Sequence, residues 1–74
     1  MVEYKEFLVN PTPQKLATGE WTIRVEILKN KGASLASTYY LAGNKYKTRE
    51  EAKKNCINFG KQIIDRKYPK LSLP

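Results

Sequence analysis

The longest amphipathic pattern in the chain covers about residues 49–67 and predicts a helix. Its apolar residues recur at helical spacing along one side. They are Ala52, Cys56, Ile57, Phe59, Gly60, Ile63 and Ile64. Thr48 and Glu51 form a capping box at the start, in which each side chain satisfies an amide of the first turn. Pro69 disfavours helical geometry at Tyr68, so we expect the helix to end near Lys67.

Residues 21–29 show the clearest strand pattern. Apolar side chains alternate there with mostly polar ones, and the apolar set is Trp21, Ile23, Val25 and Ile27. Strict alternation is typical of a strand with one buried face. Residues 21–29 are therefore predicted to form the central strand. Gly60 costs about 1 kcal/mol in a helix interior, and we expect it to allow close approach of the Trp21 ring.

Two further strands are predicted on either side of this central strand. Residues 2–9 favour an edge strand, which should end at the two prolines that follow it. Residues 34–42 favour a third strand, with turns predicted at residues 30–32 and 43–45.

The third predicted strand can face the helix in either of two ways. One places Ala36, Thr38 and Tyr40 against the helix. The other places Leu35, Ser37, Tyr39 and Leu41 there. In the first arrangement Leu28, Leu35, Tyr39 and Leu41 would be exposed on the uncovered face of the sheet.

These elements predict an α+β fold in which a three-stranded antiparallel sheet is followed by one C-terminal helix packed on one face, in the order β-β-β-α. Residues 1–74 form a single small domain in this prediction, and residues 70–74 form a loose tail.

Composition argues against several functional classes. The chain has no histidine and one cysteine, so neither a zinc-site pattern nor an internal disulfide is expected. No nucleotide-binding fingerprint is present, and Cys56 is predicted to be a buried core thiol. We therefore expect a protein that is not an enzyme and has no cofactor or metal. No segment has the length or hydropathy of a signal peptide or membrane span, which favours a cytoplasmic location without membrane partners.

The net charge of +7 favours an anionic partner. Residues 1–28 contain three basic and four acidic residues, a net charge of −1, so the positive charge belongs to the rest of the chain. We predict binding to the backbone of DNA or RNA. The candidate residues are Arg24, Lys29, Lys31, Tyr39, Lys45, Lys47, Arg49 and Lys53. A solvated basic surface with core aromatic residues is the alternative explanation of the same pattern.

A second hypothesis is a protein-interaction or homodimerisation module. It would use the uncovered sheet face or a sheet edge, by strand addition or by packing of sheet on sheet. The partner would be a second copy of the chain or another protein.

The chain also resembles a known group of proteins. The pattern combines Gly19-x-Trp21, Tyr40, Tyr46 and Glu51-Ala52 with Phe59-Gly60-Lys61-Gln62-Ile63-Ile64-Asp65 and Pro69. It is similar, over about residues 19–69, to a family of short bacterial proteins of unknown function. The resemblance implies that Tyr40 and Tyr46 are core aromatic residues.

A second resemblance concerns the predicted order of elements alone. The β-β-β-α order resembles the DNA-binding domains of plant ethylene-response factors and the arm-binding domains of phage integrases. It implies major-groove contact through the uncovered sheet face, where Arg24 lies beside Glu26. Similar topology is weak support for a shared function.

Overall fold

The computed structural model describes residues 1–74 and consists of one antiparallel sheet and one helix. The elements are β1 (Val2–Tyr4), β2 (Phe7–Pro11), β3 (Gln14–Lys15), β4 (Trp21–Lys31), β5 (Ser34–Tyr46) and α1 (Arg49–Ile64). The predicted α+β class and single C-terminal helix are confirmed. The prediction of three strands is wrong, because the sheet has five.

Strand β4 is the centre of the sheet, as the alternating pattern predicted. Strands β2 and β3 both pair with one side of β4, and β5 pairs with the other side along the full length of β4. Strand β1 pairs only with β2 and forms the opposite edge. Because β5 pairs with β4 alone, it is an edge strand of the sheet.

The predicted strand over residues 2–9 is two strands joined by a tight turn. Lys5 and Glu6 form the turn between the paired residues Tyr4 and Phe7, with φ values of 47° and 71°. Positive φ at both central residues is typical of a type I′ hairpin turn, which usually contains asparagine or glycine. A Lys-Glu pair gives no such signal in the sequence.

Of the other two predicted turns, the first is shifted along the chain and the second is a bulge within a strand. The turn between β4 and β5 consists of Gly32 and Ala33, with a φ of 75° at Gly32, so β4 extends through the predicted turn at residues 30–32. Gly43 and Asn44 form a bulge within β5, where the pairing changes from Ile23 with Ala42 to Thr22 with Lys45. A bulge and a turn share the same preference for glycine and asparagine.

Strand β5 faces the helix in the first of the two predicted ways. Tyr40 is opposite Val25 and only 6% exposed, whereas Leu35, Tyr39 and Leu41 are exposed by 57%, 46% and 66%. Leu28 was predicted to be exposed with them but is 8% exposed. Its cross-strand neighbours are Leu8 and Ser37.

The core lies between α1 and the covered face of the sheet. Its largest fully buried side chains are Ile27, Ile63, Val9, Val25 and Cys56. Gly60 lets the helix approach β2 and β4, because a Cβ atom there would lie 2.7 Å from Val9 Cγ1 and 3.4 Å from Val25 Cγ2. The prediction of close approach is confirmed, but the predicted partner, Trp21, is wrong.

The helix begins where the capping box predicted and ends three residues earlier than expected. The Thr48 hydroxyl accepts a hydrogen bond from the Glu51 amide at 3.2 Å. At the other end the Arg66 amide donates to the Ile63 carbonyl and the Lys67 amide to the Gln62 carbonyl. With a φ of 62° at Arg66, these bonds form a Schellman motif. This motif ends α1 at Ile64. The helix therefore ends before it reaches the residues whose geometry Pro69 restricts.

The predicted loose tail is packed against the rest of the protein. The Tyr40 hydroxyl donates a hydrogen bond to the Ser72 carbonyl, and Leu73 packs against the core. These contacts hold the tail, from here on residues 67–74, alongside β5.

Candidate nucleic-acid interface

The eight basic and aromatic residues predicted to bind nucleic acid are spread over the molecule. Arg24 and Tyr39 lie on the uncovered face of the sheet, with the Arg24 guanidinium carbon 4.5 Å from the centre of the Tyr39 ring. Glu26 lies opposite Tyr39 in the sheet and accepts a hydrogen bond from Asn10 at 3.0 Å. A carboxylate therefore lies beside the only predicted stacking residue.

Lys29 and Lys31 lie at the far end of the hairpin formed by β4 and β5. The Lys29 ammonium is 4.7 Å from the centre of the Phe7 ring and 3.8 Å from the Glu6 carboxylate. Lys31 pairs with Ser34 directly before the turn. Both lysines belong to the end of the sheet that is remote from the start of α1.

The other four predicted residues surround the junction between β5 and α1. Lys45 pairs with Thr22, Lys47 follows β5, and Arg49 is the first residue of α1. Lys53 lies one helical turn further on. Since ten residue steps of β4 span about 33 Å, the structure does not bring the eight residues into one site.

A groove between α1, the second half of β5 and the tail was not predicted from the sequence. Its volume is about 780 Å³, within the range of ligand sites in proteins. Ile23 and Ala42 contribute apolar side chains from the sheet. Residues 67–71 of the tail form part of its lining.

Three aromatic rings line the groove, one from each surrounding segment. They are Tyr46 of β5, Phe59 of α1 and Tyr68 of the tail. Phe59 and Tyr68 pack edge to face, with ring centres 5.2 Å apart and planes at 73°. The Tyr68 hydroxyl also donates to the Gln62 side-chain oxygen at 3.3 Å. These contacts fix the tail against the helix.

Four side-chain amides line the same groove: Asn44, Asn55, Asn58 and Gln62. The last three come from one flank of α1, where residues three and four apart are neighbours. Asn55 donates to the Glu51 carbonyl at 2.8 Å. Each amide offers both a donor and an acceptor, which is the chemistry needed to recognise the edges of nucleobases.

The charge of the groove is entirely positive. Lys67 and Lys70 line it, and no aspartate or glutamate does. Asp65, the acidic residue nearest to them in the sequence, accepts hydrogen bonds from Tyr4 and Lys5. The hydrogen bond from Lys5, followed by that from Tyr4, lowers the pKa of Asp65 below its ordinary value. The carboxylate is thus held in contact with two donors of the β1–β2 hairpin.

No group of three or more metal-ligating side chains occurs, and no charged or polar residue is buried. Cys56 is fully buried, as predicted, and its thiol donates to the Arg24 carbonyl at 3.3 Å. Burial raises the pKa of this thiol. The helix is too short and too polar to cross a membrane.

Sequence reasoning missed the groove because the tail that completes it has no periodic pattern. One signal was present: the amides at residues 55, 58 and 62 are spaced by three and four, which places them on one side of a helix. That side adjoins the apolar stripe, whereas Lys53 lies on the opposite side of the helix.

Comparison with known proteins supports the expectation of a family without known function. The family model described as "Domain of unknown function (DUF6566)" matches residues 1–72. No curated protein and no solved structure matches the chain.

Proposed function

The chain belongs to this family of domains of unknown function, and on that premise we propose that it is a non-enzymatic module that binds single-stranded nucleic acid in the groove beside α1. One observation carries the proposal: the groove combines three aromatic rings, four side-chain amides and two lysines, and no carboxylate lines it.

Each of these groups has a partner in a single strand of DNA or RNA. Aromatic rings stack on nucleobases, and each stacked base contributes about 1–3 kcal/mol. Side-chain amides bind the hydrogen-bonding edges that unpaired bases expose. Lysines neutralise phosphates and release counterions. The absence of a carboxylate from the lining means that no repulsion opposes the phosphates within the groove.

A single strand fits these observations better than a duplex. The rings and amides line a concave groove, which the stacked bases of a duplex cannot enter. The uncovered sheet face is the alternative surface for a duplex, but Glu26 lies there between Arg24 and Leu28, next to Tyr39. A carboxylate at that position would repel the phosphates of a bound duplex.

The proposal can be tested by fluorescence anisotropy with labelled single-stranded RNA, single-stranded DNA and duplex DNA of equal length. Titrations at about 50 and about 200 mM salt would give the salt dependence of the affinity. We expect both single strands to bind more tightly than the duplex. The ratio of the affinities for the two single strands would show whether RNA or DNA is preferred. Absence of binding at the lower salt concentration would overturn the proposal.

A matched pair of double variants locates the site. Replacing Lys67 and Lys70 with alanine should reduce the salt slope by about 1.4, which corresponds to two phosphates of a single strand. Replacing Lys31 and Lys53 with alanine changes the net charge equally, and neither lysine lines the groove. This control should retain nearly all of the affinity, and equal losses in the two variants would show that binding is not located in the groove.

A further inference from the structure

Strand β5 leaves one side of its backbone unpaired. It contains thirteen residues, from Ser34 to Tyr46, and pairs only with β4. The opposite edge of the sheet is β1, which has three residues. A long unpaired strand is a template for pairing with another chain, and proteins usually block such an edge with charges, proline or short length.

None of the usual protective features occurs along most of β5. No lysine, arginine, aspartate, glutamate or proline lies between residues 34 and 44, although 28% of the whole chain is charged. The bulge at Gly43 and Asn44 interrupts the pairing only beyond Ala42. Residues 34–42 therefore form an uncharged edge that is free of irregularities.

Alternate residues of β5 direct their backbone groups away from β4. In a two-residue hairpin the residues that flank the turn, here Lys31 and Ser34, form a hydrogen-bonded pair. Even-numbered residues of the regular part of β5 then bond to β4, and odd-numbered residues direct their amide and carbonyl groups outward. The outward set is Leu35, Ser37, Tyr39 and Leu41, all exposed.

We propose that two copies of the chain form a dimer by antiparallel pairing of their β5 strands about a two-fold axis at Thr38. In this register Leu35 of each copy lies opposite Leu41 of the other, and Ser37 lies opposite Tyr39. All outward backbone groups of these residues become paired. The two most exposed apolar side chains of β5 then contact each other twice, once on either side of the axis.

The register is self-complementary and closes the assembly at two copies. Because the two-fold axis is perpendicular to the joined sheet, both helices lie on the same face. The Asn44 residues of the two grooves are separated by twelve residue steps along β5, or about 40 Å. Leu41 lines the groove and also lies opposite Leu35 of the other copy, so the dimer contact and the groove share this residue.

Charge gives this dimer a distinctive dependence on salt. Each copy carries a net charge of +7, so the copies repel each other while the contact itself is uncharged. Added salt screens this repulsion and should strengthen the dimer. Nucleic-acid binding should weaken under the same change. The two proposals thus fail or succeed separately.

Sedimentation equilibrium at low and high salt tests the dimer directly. We expect the average mass to approach twice that of one chain as concentration and salt rise. Ser37→Lys places a charge in the middle of the edge and should weaken the dimer at least tenfold. Ala17→Lys, which adds the same charge at an exposed position before β4 and away from β5, should leave it unchanged. A monomer under all conditions, or equal behaviour of the two variants, would overturn the proposal.

Disulfide formation tests the register. At the two-fold axis the Thr38 residues form a pair without backbone hydrogen bonds, whose Cα atoms lie about 4.5 Å apart, within disulfide range. Thr38→Cys should therefore oxidise readily to a linked dimer. In Leu35→Cys the new cysteine is more exposed. In the dimer, however, the two cysteines at residue 35 lie six residue steps apart and should link poorly. Equal linking of both variants would exclude this register, and buried Cys56 should take no part.

Discussion

The backbone of Gly60 faces the side chain of Val9 so closely that an added Cβ atom would lie 2.7 Å from Val9 Cγ1. Alanine at this position would gain about 1 kcal/mol of helix propensity. It would also overfill a core of stiff β-branched side chains, which typically costs 1–3 kcal/mol. We expect Gly60→Ala to lower the free energy of unfolding by about 1 kcal/mol, measured by urea denaturation.

Removing the methyl groups of Val9 provides the control for this contact. Val9→Ala alone should be destabilising because it leaves a cavity. The double variant should lose less stability than the sum of the two single losses. The smaller side chain at residue 9 makes room for the Cβ atom at residue 60, and that atom fills part of the cavity. Strict additivity, or a Gly60→Ala variant more stable than the natural protein, would contradict the close contact.

Arg66 adopts a left-handed conformation, with a φ of 62° at the position after the helix cap. Glycine is the preferred residue there, and other residues pay about 1 kcal/mol or more for this geometry. We expect Arg66→Gly to raise the free energy of unfolding by about 0.5 kcal/mol, after allowance for the greater freedom of glycine in the unfolded chain. Lys67→Gly, one residue later, should give no such gain.

The hydrogen bonds that Asp65 accepts from Lys5 and Tyr4 predict a pH dependence. Because these bonds lower the pKa of Asp65 below its ordinary value of 3.8, its ionised form is favoured in the folded state. Its contribution to stability is therefore present above the unfolded pKa and lost as the pH falls through the folded pKa.

Urea denaturation from about pH 6 down to about pH 2 would measure this contribution. In Asp65→Asn the decrease in stability towards low pH should be smaller than in the natural protein. Asn at this position cannot ionise, so it preserves size while removing the titration. An unchanged pH profile would show that the contact with Lys5 and Tyr4 does not favour the ionised carboxylate.

The hydroxyl of Tyr40 fastens the tail to the sheet by donating to the Ser72 carbonyl. Tyr40→Phe removes this bond and should reduce the free energy of unfolding by about 1 kcal/mol. Limited proteolysis of residues 70–74 should become faster at the same time. Tyr39→Phe is the matched control, because its ring is exposed on the other face; it should change stability by less than about 0.5 kcal/mol.

The sequence predicted those elements that depend on residues close together in the chain. The alternation around Val25 identified the central strand, and Thr48 with Glu51 located the start of α1. The hairpin turn at Lys5 and Glu6 was missed because residues with side chains adopt positive φ only when the surrounding structure stabilises it. Here that support comes from Asp65, far away in the sequence.

The groove could not be predicted for a similar reason. Its two lysines and one of its rings belong to the tail, whose position depends on contacts with Tyr40 and Phe59. Such contacts connect residues up to 32 positions apart and leave no periodic signal. The uncharged edge of β5, in contrast, is visible in the sequence once the position of β5 in the sheet is known.

The hydrogen bond between Tyr4 and Asp65 has a consequence for the order of folding. It joins residues 61 positions apart, so forming it closes nearly the whole chain into a loop. The β4–β5 hairpin requires closure of a two-residue turn only. Because the entropic cost of closure grows with loop length, we expect this hairpin to form early and the β1–β2 hairpin to dock last. Amide hydrogen exchange should accordingly be fastest in β1, the first strand to detach when the native protein opens locally.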